Sequence, residues 1–156
     1  MSQFTDVSFD GLYGEAIMDH YRNPRHREPL DRADMAAHEF NPFCGDEVTL
    51  RAQFDGLGRV DRVSSQSQGC SIIQASASMM AEGMEGKSAE ELDEMARLFR
   101  RLMQGRELEP GEVAQLKDLV ALQVVRRYPV RIKCALLPWT ALEEGLDELK
   151  RSGKSG

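Results

Sequence analysis

The chain is sparing with the residues that would place it in several common classes. It has three cysteines among 156 residues. An odd number fits no closed disulfide framework and favours thiols kept free or metal-bound in a reducing cytoplasm. No apolar run approaches the roughly 20 residues that span a bilayer, so no membrane association is expected. Residues Met1 to Asp6 show neither the positive start nor the apolar stretch of a secretory signal. Basic residues are outnumbered, 20 Lys and Arg against 26 Asp and Glu, and the net charge is −6. That balance leaves no basic stripe for phosphates and excludes nucleic acid as the expected partner; a protein with a complementary basic patch fits better. There is no internal repeat, no low-complexity segment and no C-x2-C pair of the zinc-finger kind.

What is present is an ordinary globular mixture, 41% apolar and 29% charged, on a chain long enough to bury a core without disulfide staples. A single domain over residues 1–156 is expected, ordered over about 10–150, with a small, polar, frayed tail. Leu12, Ala16, Ile17, His20 and Tyr21 share one side of a helix from near Asp10 to just before Pro24. A loop follows, marked by Pro24 and Pro29. Val48, Leu50, Ala52 and Phe54 alternate with Thr49, Arg51 and Gln53 as a half-buried strand. Gly56-Leu57-Gly58 turns the chain, and Val60 to Gln68 returns as its partner. A shorter strand over 36–40 completes a three-stranded antiparallel sheet. From Cys70 the period becomes helical, with a stripe of Ile73, Ala77, Met80 and Met84. Ser88 and Glu91 have capping-box spacing and open a helix carrying Leu92, Met95, Ala96, Phe99, Leu102 and Met103. Pro110 opens a third helix with Val113, Leu116, Leu119, Val120 and Val124 inward. A last helix after Pro138 carries Leu142, Leu146 and Leu149. Sheet first and helices after predicts an α+β fold, with about four to six helices on a small sheet.

The cysteines sit in three short phrases at predicted element boundaries: Asn41-Pro42-Phe43-Cys44-Gly45-Asp46, Gln68-Gly69-Cys70-Ser71 and Arg131-Ile132-Lys133-Cys134-Ala135. Gly45 lets the backbone bend so that Cys44 and Asp46 can face one point. Cys70 is expected at a helix start, where free N–H groups and the helix dipole favour a thiolate. Cys134 is expected just before the last helix. Three sulfurs and one carboxylate oxygen fall within the ligand repertoire of zinc. Taken singly, a cysteine serves more often as a small buried hydrophobe, and Asp46 has a plainer reading as a turn brace. His20, His26 and His38 lack ligand spacing and read as surface or core-edge residues. Trp139 reads as packing at the last helix, with an apolar docking rim shared with Phe43 as the alternative.

In combination, Pro42-Phe43-Cys44-Gly45-Asp46, Gly69-Cys70-Ser71 with the small run Ala75-Ser76-Ala77-Ser78, and Lys133-Cys134-Ala135 resemble the IscU/SufU (NifU N-terminal-like) family of iron–sulfur assembly proteins. Leu12-Tyr13, Ile17 and His20-Tyr21-Arg22-Asn23-Pro24-Arg25 are similar to that family's opening helix and loop, so the likeness covers about residues 10–150. IscU scaffolds carry a histidine where this chain has Lys133. They also carry a Leu-Pro-Pro-Val-Lys motif where it has Arg127-Tyr128-Pro129-Val130-Arg131. The stretch 105–127, with its extra helix, resembles the insertion of the SufU branch.

The resemblance implies a zinc-dependent sulfurtransferase, with one zinc per chain held by Cys44, Asp46, Cys70 and Cys134. It makes Cys44 the sulfur acceptor, which takes persulfide sulfur from a SufS-type, pyridoxal-phosphate-dependent cysteine desulfurase and stimulates its turnover. Sulfur then passes to downstream iron–sulfur assembly components. The family likeness also suggests that Cys44 leaves the metal when the partner docks. Arg131 and Lys133 are candidates to balance the anionic charge of the set. Two alternatives stay open. One is an IscU-like scaffold that builds a [2Fe–2S] cluster on the same ligands; the other is a zinc that merely staples the fold.

Overall fold

The computed structural model describes residues 11–42 and 45–152 of the chain. Helix α1 (Gly11–Arg22) leads through a loop into strands β1 (Met35–Asn41), β2 (Asp46–Phe54) and β3 (Val60–Gln68). The strands pair antiparallel in the order β1-β2-β3. Helices α2 (Ser71–Met84), α3 (Ala89–Met103) and α4 (Pro110–Leu116), 3₁₀ turns over Lys117–Arg127 and a long α5 (Pro129–Ser152) follow. The α+β order expected from periodicity is therefore observed.

The two-residue period of β2 becomes a two-faced strand. Val48, Leu50 and Ala52 are fully buried on the side covered by α2 and α5, while Thr49, Arg51 and Gln53 alternate onto the other. That second side is strapped by the loop after α1. Arg51 Nε donates to the Leu30 carbonyl at 3.0 Å, and the Gln53 and Gln66 amides donate to the carbonyls of Arg32 and Arg27 at 2.6 and 3.0 Å.

Helix α2 is buried along most of its length and packs against α1, α5 and β3. Its small residues let those neighbours approach, and its hydroxyls occupy their polar atoms. The Ser76 hydroxyl donates to the Ala135 carbonyl at 2.6 Å and accepts the Trp139 indole N–H at 3.1 Å. Ser78 Oγ accepts the Arg25 backbone N–H at 2.9 Å and meets His20 Nδ1 at 2.8 Å. Pairing of this kind avoids the cost of stranding a buried polar group. Trp139 is fully buried and stacked on Phe99 with centroids 4.4 Å apart, so it is core packing and not part of a docking rim. The capping box forms at the start of α3: Glu91 N–H donates to Ser88 Oγ, and Ser88 N–H donates to the Glu91 carboxylate.

Two helix boundaries differ from the sequence expectation. The last helix begins at Pro129 rather than after Pro138, so Cys134 lies inside α5 and not ahead of it. Pro129 occupies a first-turn position where its missing N–H is harmless. Pro138 has no N–H to give the Cys134 carbonyl four residues earlier; burial of Ala135, Trp139, Leu142 and Leu146 offsets that loss. The third helix is shorter than expected. It ends at Leu116 because Lys117, at φ 52°, leaves the helical path. Val113 is left exposed, and Leu119, Leu122 and Val125 from the 3₁₀ turns enter the core. Among the described residues no helix is long and apolar enough to cross a membrane.

The α2–α5 seam gives a direct test. Ser76→Ala leaves the buried Trp139 N–H without its acceptor and should lower the unfolding free energy by about 1–3 kcal/mol. The reading is a lower urea midpoint at unchanged slope; an unchanged midpoint would contradict the pairing.

Candidate metal centre

Three elements deliver three donors to one place. Asp46 is the first residue of β2, paired across the sheet with Asn41 of β1. Cys70 caps the N-terminus of α2 with extended backbone, φ −70° and ψ 169°. Cys134 lies just past the first turn of α5. One ligand atom from each lies within 4.8 Å of the other two. Asp46 and Cys134 are buried and Cys70 is half-buried. The Cys134 sulfur stands 3.4 Å from Asp46 Oδ2.

The electrostatics follow from this crowding. Hydrogen bonding from the Cys134 thiol is the largest influence on Cys70 and, helped by the N–H groups of Ile73 and Ile72, lowers its pKa to about 6. Burial and the Asp46 charge act in the opposite direction. Cys134 is driven far above the ordinary thiol range by its bond to Cys70, by burial and by the negative charges beside it. The pair thus holds one proton between two sulfurs, next to a carboxylate. A divalent cation would relieve that arrangement, because it replaces the proton and draws both sulfurs to the thiolate form.

The geometry passes a simple fit test for zinc. With Zn–S about 2.3 Å and Zn–O about 2.0–2.2 Å, donors at tetrahedral corners stand about 3.5–3.8 Å apart. The 3.4 Å between Cys134 Sγ and Asp46 Oδ2 is of that order.

Cys44 and Phe43 lie outside the described residues. On either side of them the chain closes on itself, with the Gly45 N–H donating to the Asn41 carbonyl at 2.9 Å and Gly45 at φ 72°, a left-handed position that suits glycine. Arg131 is half-buried and Lys133 exposed on the first turns of α5. Lys133, one residue before Cys134, is rotated about 100° from it around the helix. The histidines sit apart from the sulfur set. His26 and His38 pair with Glu85 and Glu47 at 2.9 and 2.5 Å, while His20 is buried against Ser78.

Gly69 is a positioning residue that the sequence reading missed. Its φ of 137° is unfavourable for other residues, and a Cβ built on it would stand 2.2 Å from Asp46 Oδ1 and 3.0 Å from Ile73 Cγ2. The missing side chain is what lets the Asp46 carboxylate lie against the β3–α2 junction. The only sequence signal was a glycine immediately before a cysteine at a change of period.

Comparison with known proteins fits this geometry. A family model described as the NifU-like N-terminal domain matches residues 12–135. The zinc-dependent sulfurtransferase SufU of Bacillus subtilis (strain 168) is 41% identical over 141 residues, covering 90% of this chain and 93% of that protein. The iron–sulfur cluster assembly scaffold protein IscU of Streptococcus pyogenes serotype M1 is 36% identical, covering 92% and 86%. The crystal structure of FiSufU from Fervidobacterium islandicum AW-1, described as a cluster assembly scaffold for the SUF system, superposes with a TM-score of 0.77 at 32% identity, over 93% of this chain and 99% of that one. With a family match over most of its length and these relatives alongside, the chain belongs to the NifU-like N-terminal domain family, the IscU/SufU group of iron–sulfur cluster assembly proteins.

Proposed function

We propose that this protein is a zinc-dependent sulfur acceptor in iron–sulfur cluster assembly, loaded by a SufS-type, pyridoxal-phosphate-dependent cysteine desulfurase. The observation that carries the reading is the convergence of Asp46, Cys70 and Cys134, with Asp46 two residues after Cys44 in the sequence. The 41% identity to a zinc-dependent sulfurtransferase supports it. So does Lys133, since a protonated ammonium offers no lone pair where IscU scaffolds carry a histidine.

Cys44, Asp46, Cys70 and Cys134 would hold the ion. When bound, zinc supplies positive charge that keeps its thiol ligands deprotonated at neutral pH, and it has no redox chemistry of its own to oxidise them. Cys44 is assigned the acceptor role. Its thiolate attacks the outer sulfur of the desulfurase persulfide; a new S–S bond forms to Cys44 as the old one breaks. The desulfurase cysteine departs as a thiolate with the bonding pair. The transferred sulfur is already in the persulfide state, so no outside oxidant is required. Asp46, Cys70 and Cys134 stay in place through their strand and helices, and Gly45 supplies backbone freedom at the one segment that must reach the partner. Arg131 and Lys133 are proposed to temper the negative charge of the set.

IscU relatives at up to 36% identity favour one further reading, a scaffold for a [2Fe–2S] cluster on the same ligands. Two experiments separate and test these readings. Cys44→Ser should reduce sulfur acceptance and desulfurase stimulation to background, measured as alanine and sulfide release; retention of both would end the acceptor reading. Anaerobic reconstitution with iron and sulfide should leave no stable stoichiometric chromophore, whereas a transferable cluster would favour the scaffold. A third experiment probes the site itself. Gly69→Ala should push Asp46 aside and weaken zinc binding by roughly 10–100-fold, the range seen when ligand orientation is lost. Chelator competition reads that affinity, and an unchanged value would contradict the role given to Gly69.

A further inference from the structure

A second donor cluster lies outside the sulfur set. His20 of α1, Glu82 of α2 and Asp118 at the start of the 3₁₀ turns each place one ligand atom within 4.8 Å of the others. With Gln115, Lys87 and Lys117 they line a cavity of about 220 Å³. Glu82 is twelve residues beyond Cys70 along α2, about 18 Å at the helical rise of 1.5 Å per residue, so the two clusters are separate.

The imidazole is arranged as a metal ligand would be. His20 is only 3% exposed, and its Nδ1 is tied to Ser78 Oγ at 2.8 Å, which fixes the ring. Its Nε2 stands 3.7 Å from Glu82 Oε1, beyond hydrogen-bond reach, and the residue lines the cavity. The other Glu82 oxygen lies 3.6 Å from Arg25 Nε, which steadies the carboxylate and leaves Oε1 turned to the imidazole.

We propose that His20, Glu82 and Asp118 form a second metal site, which takes a divalent first-row transition ion and zinc foremost. A neutral imidazole with two carboxylates sums to −2 and matches such an ion in charge. The nitrogen donor selects it over magnesium and calcium, which prefer all-oxygen sets. Ser78 serves as the outer partner that orients the histidine. Because the three donors come from α1, α2 and the segment after α4, the ion would pin the insertion to the helical core. The left-handed turn at Lys117, immediately before Asp118, brings the carboxylate to that junction.

The test is a Co²⁺ titration of the full-length protein carrying a single equivalent of zinc, which fills the thiolate set first. Cobalt entering the Cys70/Cys134 set gives an intense sulfur-to-metal charge-transfer band, whereas an imidazole–carboxylate site gives only weak ligand-field bands. Failure at one site is therefore told apart from failure at the other. The expected result is one further equivalent of cobalt with ligand-field bands and no sulfur band. Glu82→Gln and Asp118→Asn should each weaken that equivalent by more than the roughly 10–100-fold that loss of an outer partner costs. Both side chains are exposed, so the variants should fold. No further equivalent, a sulfur band on it, or unchanged affinity in either variant would overturn the proposal.

Discussion

The carboxylate of Asp46 and the sulfurs of Cys70 and Cys134 are held within 4.8 Å of one another, with two of the three groups buried. Like charges in such a place repel strongly, because little water remains to screen them. Without a cation the set answers by retaining a proton on Cys134 while Cys70 gives its own up at about pH 6. A divalent ion removes the conflict outright. The tension is a property of this chain's own residues, and it gives Cys70 and Cys134 a reason to meet Asp46 where helices and sheet join.

The rest of the fold exists, in functional terms, to maintain that crowding. Strand pairing between Asn41 and Asp46 fixes the carboxylate, and Gly69 opens the space it occupies. Burial of α2 anchors Cys70. Cys134 depends on the α2–α5 seam, where Ser76 bonds both the Ala135 carbonyl and the Trp139 indole while Trp139 stacks on Phe99. Farther along α5, Gly145 lies so close to β1 that a Cβ would come within 2.9 Å of Met35 Cγ. The proposed acceptor, Cys44, falls in the sequence between the end of β1 and the start of β2, which suits the proposed division between a fixed donor set and one thiol that reaches another protein.

Much of this was legible in the sequence. Alternation in Val48 to Phe54 gave the central strand, and the Ser88/Glu91 pair marked the start of α3 because the motif is wholly local. The shared site expected of Cys44 and Asp46 reaches the described residues only through Asp46, which meets Cys70 and Cys134. The failures share a cause, which is that packing decided what local chemistry left ambiguous. A proline suits a first turn and costs about 3 kcal/mol inside a helix, so Pro138 read as a start. Burial of Ala135, Trp139 and Leu142 overrides that preference and carries α5 back to Pro129. Lys117 in a left-handed turn has no sequence signature, so the third helix was drawn too long. Gly69 and the trio of His20, Glu82 and Asp118 act through neighbours distant in sequence. No spacing rule reveals them.

The central claim is that sulfur lands on Cys44 while Asp46, Cys70 and Cys134 hold the ion. The most direct measurement is peptide mapping by mass spectrometry after a single round of incubation with the desulfurase and isotopically labelled cysteine, with free thiols trapped before digestion. The account predicts one labelled sulfur atom on the peptide that contains Cys44 and none on those that contain Cys70 or Cys134. Label on either of the other two cysteines, or on none of the three, would contradict it.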